Sequence, residues 1–247
     1  MKTYDFIIVG GGTAGCVVAS RLTERPHVSV LLLEAGPASM PSSAASPTMW
    51  PALIGTQLDW CLTTVPQPGL FGTVLNYPRG KGLGGSSAIN AMAHVRGHPA
   101  SYEAWVTNGA TGWGYYDLLP YFRSTETADG RGPHFRGSHG PMIMSREFTR
   151  HPIAEAFVDA CDKNGYNLCD DLNGRHPEGV CWYDRNIVGG RRQSAADAYL
   201  RPALGRSNLT VVPSATATKM LLTQSQTLPA PAGWAPTRLR SPTSSFG

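Results

Sequence analysis

The N-terminal part of the chain alternates short apolar runs with glycine-rich or polar breaks. "YDFIIVG", from Tyr4 to Gly10, is a continuous apolar run of strand length rich in isoleucine and valine. Such a run predicts a parallel strand covered on both faces. "TAGCVVASRLTE", from Thr13, carries apolar residues at helical spacing, and "VSVLLLE", from Val28 to Glu34, predicts a second buried strand. The order is strand, glycine turn, helix, strand. Further along, "WVTNGATGWGYYDLLPYF" (Trp105 to Phe122) is an aromatic segment expected to pack in the core. "GSHGPMIMS" predicts a strand, and "HPIAEAFVDACDKNG" predicts an amphipathic helix ended by Gly165. "EGVCWYDRNIVGGRRQS" predicts two strands around a Gly-Gly turn.

Composition narrows the class without choosing a function. The chain has 247 residues, 41% hydrophobic and 15% charged, ordinary values for a packed protein of one large or two small domains. A net charge of +4 comes from scattered Lys and Arg with no basic stripe, so nucleic acid is not an expected partner. No apolar run approaches the ~20 residues of a transmembrane helix, and a cytoplasmic location is the default expectation. Five cysteines form no C-x-x-C pair, which opposes a disulfide framework or a zinc site and predicts reduced, mostly buried thiols. No metal is expected.

The chemistry lies in two glycine-rich runs. Gly10, Gly12 and Gly15 satisfy G-x-G-x-x-G between a buried strand and a helix. Gly10 permits the tight turn, Gly12 lets a pyrophosphate approach, and Gly15 lets the helix pack on the strand. Thr13 and Ala14 open that helix, whose N-terminus favours an anion. Glu34, followed by Ala35, ends the second strand, where a carboxylate can accept hydrogen bonds from an adenosine ribose; an acid there disfavours a 2′-phosphate. A dinucleotide is the expected ligand, and this motif alone does not separate NAD from FAD. The second run, "YPRGKGLGGSSAIN" (Tyr77 to Asn90), fits no P-loop. Gly84 and Gly85 allow backbone N–H groups to face an anion or a ring edge, Ser86 and Ser87 add hydroxyls, and Arg79 or Lys81 could screen a pyrophosphate.

The two runs, with "DWCLTTVPQPGL" before the second and "GRRQSAADAYLRPALGRSNLTVV" after it, resemble the glucose–methanol–choline (GMC) oxidoreductases, and choline-dehydrogenase-like members in particular. "GKGLGGSSAIN" is similar to that family's first signature. The resemblance implies an α/β fold: a Rossmann-like FAD-binding domain with the beginning of an α+β substrate domain, incomplete at the C-terminus. It implies flavin contacts at Arg79, Gly82, Gly85 and Ser86, and along Asn90, Ala91, Met92 and Ala93, with Ala217 near the adenine. Gly82, His94 and Ala217 depart from the usual residues, a bulky aliphatic, an aromatic and a valine. Ile89 stands where some relatives link histidine covalently to the flavin, so FAD is expected to be noncovalent.

By the same resemblance the reaction is hydride transfer from an alcohol to flavin N5, with a small-molecule alcohol as substrate and a separate electron acceptor. The family's histidine base falls beyond this chain, so no catalytic residue is assigned. A non-catalytic FAD-binding fragment and, more remotely, an NAD-dependent dehydrogenase are the alternatives. The expected organisation is residues 1–130 as the first part of the FAD domain, 131–189 as the start of the substrate domain, and 190–222 as a return to the FAD domain through a strand ending near Leu222. Residues 223–247, with Pro229, Pro231, Pro236 and Pro242 and no acid, have neither helical nor strand period. They are expected to be an irregular, disordered tail, as in a truncated or frame-shifted product.

Overall fold

The computed structural model describes residues 2–146 and 150–221; the tail from Thr223 lies outside them. The chain divides into two units, 1–216 and 217–247. The first is built on the predicted βαβ opening: β1 (Phe6–Val9), α1 (Thr13–Leu22) and β2 (Val30–Leu33). The last strand, β11 (Leu209–Val212), joins them in a parallel sheet of order β1-β2-β11. Val30 pairs with both Phe6 and Leu209, so β2 is the central strand.

Val30 and Leu32 are fully buried and pack with Cys16 and Ala19 of α1 and with Ala195, Ala196 and Leu200. The last of these belong to a π-helical turn, Ala196–Leu200, that lies against α1 on the same side of the sheet. The expectation that both faces of β1 are covered is not met. Ile8 packs on the core, whereas Ile7 and Val9 are each 60% exposed. Successive side chains of a strand point to opposite faces, and among the described residues only one face of β1 is packed. The strand expected near Leu222 ends instead at Val212.

Between β2 and β11 the secondary structure is short. α2 (Ser42–Ala45) and the hairpin of β3 (Leu62–Thr63) with β4 (Asn76–Tyr77) precede the second glycine run. That run makes a 3₁₀ turn at Gly85–Ala88 and leads into β5 (Ala93–His94). Then come α3 (Pro99–Thr107), α4 (Tyr115–Thr125), β6 (Glu126–Thr127), β7 (Met142–Ile143), α5 (Pro152–Lys163), β8 (Asp184–Arg185), β9 (Ile187–Val188), β10 (Arg191–Arg192) and α6 (Arg201–Ala203). β9 and β10 form the predicted hairpin around Gly189 and Gly190, both in the left-handed region. α5 ends before Gly165 (φ +80°), as its sequence predicts, yet its apolar residues Ile153 and Phe157 are 75% and 64% exposed.

The aromatic segment does not enter the core as expected. Tyr102, Trp105, Tyr115 and Phe122 meet edge to face or tilted at 5.1–6.3 Å, but only Tyr115 is buried, while Trp105, Tyr116 and Tyr121 stay largely exposed. The thiols also differ from expectation: Cys16 alone is buried, Cys61 is exposed, and Cys161, Cys169 and Cys181 are half-buried.

Candidate functional site

The two glycine runs interlock. Gly84 N–H donates to Gly11 O at 2.8 Å, and the Thr13 hydroxyl donates to Gly84 O at 3.3 Å. A Cβ placed on Gly85 (φ +52°) would lie 2.7 Å from the Cα of Gly12, so the backbones touch where any side chain would separate them. The serines of the second run hold the loop itself. Ser87 Oγ donates to Gly84 O at 2.6 Å and accepts from Ala195 N, while Ser86 Oγ accepts from Gly80 N at 3.1 Å. Gly82 has φ +133°, and a Cβ there would meet Met40 Sδ at 2.9 Å, which is a local reason for glycine in place of a bulky aliphatic residue.

Glu34 binds both loops at once. Its Oε2 accepts from Gly11 N at 2.6 Å, and its Oε1 accepts from Gly36 N at 2.7 Å and Gly82 N at 2.9 Å. The carboxylate is buried, with three of its roughly four lone-pair sites engaged. Next to it, Ala35 is half-buried, and Glu34 O accepts from Ala215 N, just beyond β11, at 2.8 Å. The N-terminus of α1 is different. Its N-cap is Gly12, no side chain caps it, and Thr13 and Ala14 are exposed. The first N–H groups of a helix have no intrahelical acceptor, and the helix dipole is positive there.

Arg79 and Lys81 are engaged by aromatic rings. The Arg79 guanidinium lies 3.5 Å from the Tyr77 ring centroid and also donates to Pro78 O, and Lys81 Nζ lies 4.8 Å from the Trp60 ring. Downstream, Asn90, Ala91 and Ala93 are exposed, while Met92 is buried in a left-handed conformation, φ +62°. Asn90 Oδ1 accepts from Met92 N at 3.1 Å and from Arg192 Nη1 at 2.7 Å, which fixes this uncommon turn. Arg192 is buried and also donates to Ala44 O and Ser87 O. Sequence reasoning missed this role, because Arg192 lies 102 residues from Asn90 along the chain. Ile89 packs into an apolar cluster with Ala44, Leu53 and Leu58. Ala217 belongs to the second unit and has no regular secondary structure.

Beyond the loop, an ionic cluster anchors β5. His94 Nε2 lies 2.8 Å from Glu126 Oε2, and Arg96 Nη2 and Arg136 Nε both donate to Glu126 Oε1. Arg136 continues to Asp171 and Asp184, and Arg131 also donates to Asp184. Burial pushes the Glu126 carboxyl up, but hydrogen bonds from His94 and Arg136 and the charges of Arg136 and Arg96 outweigh it, bringing the carboxyl down to about 2. Asp184 is likewise lowered: burial opposes ionisation, and bonds from Arg131 and Arg136 outweigh it.

A parallel βαβ unit with a glycine turn facing an open helix N-terminus defines a Rossmann-like dinucleotide-binding fold. Residues 4–230 match the GMC oxidoreductase family, and the chain belongs to it. It is 46% identical over 214 residues to human mitochondrial choline dehydrogenase, covering 83% of this chain and 36% of that protein. It is 42% identical over 227 residues to the oxygen-dependent choline dehydrogenase of Staphylococcus xylosus, covering 89% of this chain and 40% of that one. Among solved structures, pyridoxine 4-oxidase from Mesorbium loti superposes with a TM-score of 0.85 at 37% identity, over 91% of this chain and 45% of the other. A Chaetomium thermophilum FAD-dependent oxidoreductase gives 0.81 at 31% identity, over 91% and 40%. The chain thus spans less than half the length of these relatives. The family is one of FAD-dependent oxidoreductases, and the fold here is its FAD-binding fold. No helix among the described residues is long and apolar enough to cross a membrane.

The donor set fits the adenosine and pyrophosphate half of FAD. An uncapped helix N-terminus suits the diphosphate, and Glu34 keeps a lone-pair site for a ribose hydroxyl.

Proposed function

We propose that the chain forms the FAD-holding part of an oxidoreductase that acts on the CH–OH group of a small alcohol. The observation that carries this reading is Glu34, which accepts hydrogen bonds from Gly11 of the first glycine loop and Gly82 of the second. One acid therefore ties both loops into a single rigid cradle. Bound FAD supplies the two-electron acceptor that takes a hydride from the alcohol carbon. The N-terminus of α1, at Thr13 and Ala14, would hold the diphosphate, and the exposed segment Asn90, Ala91 and Ala93 would border the ring. Residues 131–189 begin the substrate domain, and β8 from that region pairs with β5 directly after the ring-bordering segment. The likeness to choline dehydrogenases supports an alcohol of choline type as substrate.

We infer, from the family resemblance, that the proton acceptor for the alcohol hydroxyl is neither of two histidines whose Nε2 atoms meet carboxylates. His94 is bound to Glu126, and His98 lies 3.2 Å from Glu178. We infer that this chain alone holds flavin and turns over little or no alcohol; losing a general base costs about 10²- to 10⁴-fold. The test is to titrate the purified chain with FAD and with NAD, with Glu34→Ala as the variant. FAD should bind more tightly than NAD, and the variant should weaken it. Preference for NAD, or unchanged FAD binding by a folded Glu34→Ala protein, would reject the reading.

A further inference from the structure

Two half-buried cysteines that the flavin site does not use lie side by side. Leu168 and Val180 form an isolated parallel bridge, with Val180 N donating to Asn167 O at 2.8 Å and Cys169 N donating to Val180 O at 3.0 Å. One step further in the same register come Cys169 and Cys181. Parallel neighbours stand about 4.8 Å apart with side chains on the same face, inside the usual Cα separation of disulfide-linked cysteines. Cys169 is near enough to contribute to the raised titration of the Cys181 thiol. Cys169 lines an open cleft with Asp170, Arg175 and His176, so a small oxidant reaches its sulfur. The Cys181 thiol donates to Trp182 O at 3.5 Å, and burial together with Cys169 pushes it up to about 12. Cys169 is therefore the sulfur that attacks, and Cys181 the one that resolves.

The segment closed by this pair is the one that clamps β5. Asn173 Oδ1 accepts from Arg96 N at 2.7 Å, and its Nδ2 donates to His94 O at 2.9 Å. Asp171 receives Arg136. We propose that Cys169 and Cys181 are a thiol–disulfide pair, oxidised by hydrogen peroxide or an organic peroxide, and that closing it fixes the loop that holds β5 beside the flavin cradle. Cys169 sulfur attacks the peroxide O–O bond, giving a sulfenic acid and one water or alcohol. The Cys181 sulfur then attacks the Cys169 sulfur, forming the S–S bond and releasing the second oxygen as water. Two thiols lose two protons and two electrons, and one peroxide takes them up.

The test uses the full chain, reduced, freed of reductant and treated with a few equivalents of hydrogen peroxide. Trypsin cuts after Lys163, Arg175 and Arg185, so Asn164–Arg175 and His176–Arg185 each carry one of the two cysteines. The expected result is that these two peptides run as one species, two hydrogens lighter than their sum, and separate again on reduction. Titratable thiols should fall by two per chain. The oxidised protein should melt several degrees above the reduced protein. Cys169→Ser and Cys181→Ser should each abolish both the linkage and the shift. Peroxide that leaves the two peptides separate, or that links either cysteine to Cys16, Cys61 or Cys161 instead, would overturn the proposal. So would a linkage that forms with no change in melting, since the loop would then already be fixed without it.

Discussion

His94 Nε2 lies 2.8 Å from Glu126 Oε2, and Glu126 is fully buried among three cationic or imidazole side chains. This places a titratable group at the junction of β5, just after the ring-bordering segment, with β6. Because the folded carboxyl stands at about 2, below its ordinary value of 4.5, the unfolded chain binds its proton first as pH falls. The stabilisation is fully present above about 4.5 and is lost as pH drops toward 2. Denaturant unfolding at pH 7 and pH 2 should differ by about 3 kcal/mol from this group, with Asp184 adding to the loss in the same direction. Glu126→Gln should flatten the slope over this range.

The same variant leaves Arg136 and Arg96 with a weakened partner. Removing one member of a buried ion pair costs about 3–5 kcal/mol. Glu126→Gln at neutral pH should therefore lower the unfolding free energy by that order, against a few tenths for Arg21→Gln, whose pair with Glu24 is half exposed.

Glu34→Gln removes one acceptor oxygen from a group that serves three backbone donors. An amide nitrogen there faces at least one N–H, so the cost should be about 1–3 kcal/mol even without cofactor. Thermal unfolding of the chain without flavin checks this. No change in melting would mean that the acid does not join the loops.

Glycine substitutions should rank by contact. A Cβ on Gly15 would lie 1.9 Å from Gly10 O, and one on Gly85 would lie 2.7 Å from Gly12 Cα at φ +52°, whereas one on Gly205 meets nothing within 4 Å. Gly15→Ala and Gly85→Ala should each lose at least about 3 kcal/mol, and Gly205→Ala should stay within about 0.5 kcal/mol of the parent. Soluble yield and melting midpoint give the ranking.

Bound flavin should leave with acid or heat. Ile89 is buried against Ala44, Leu53 and Leu58, and an aliphatic side chain has no atom to bond the ring. Flavin retained by acid-precipitated protein would contradict this.

The βαβ opening was legible in the sequence because each of its parts has a local cause. A β-branched run makes β1, the G-x-G-x-x-G turn precedes α1, and Leu31 to Leu33 continue β2. The α5 boundary and the β9–β10 turn were legible for the same reason: Gly165, Gly189 and Gly190 all sit at positive φ. What could not be read were partnerships made across the chain. Arg192 on Asn90, Asn173 on His94 and Arg96, and Arg136 on Asp184 depend on folding distant segments together, and no periodicity encodes them. Exposure failed for a related reason. An apolar pattern says which face of β1 or α5 avoids water, but not whether a covering element is supplied within the same stretch of chain.

The position of β2 in the sheet sets the order in which the protein can be made. Its first neighbour, β1, precedes it closely, but its second, β11, is the last described strand: Asn208 Nδ2 donates to Val28 O across 180 residues. On the ribosome β1, α1 and β2 can associate early. The other edge of β2 then waits for Leu209–Val212 to emerge, which at bacterial or eukaryotic elongation rates takes roughly 10–40 s. Through that interval a Val-Leu-Leu-Leu edge stands open for pairing with any other strand, so nascent-chain chaperones that shield short apolar segments should matter more for the yield of this protein than its final stability does.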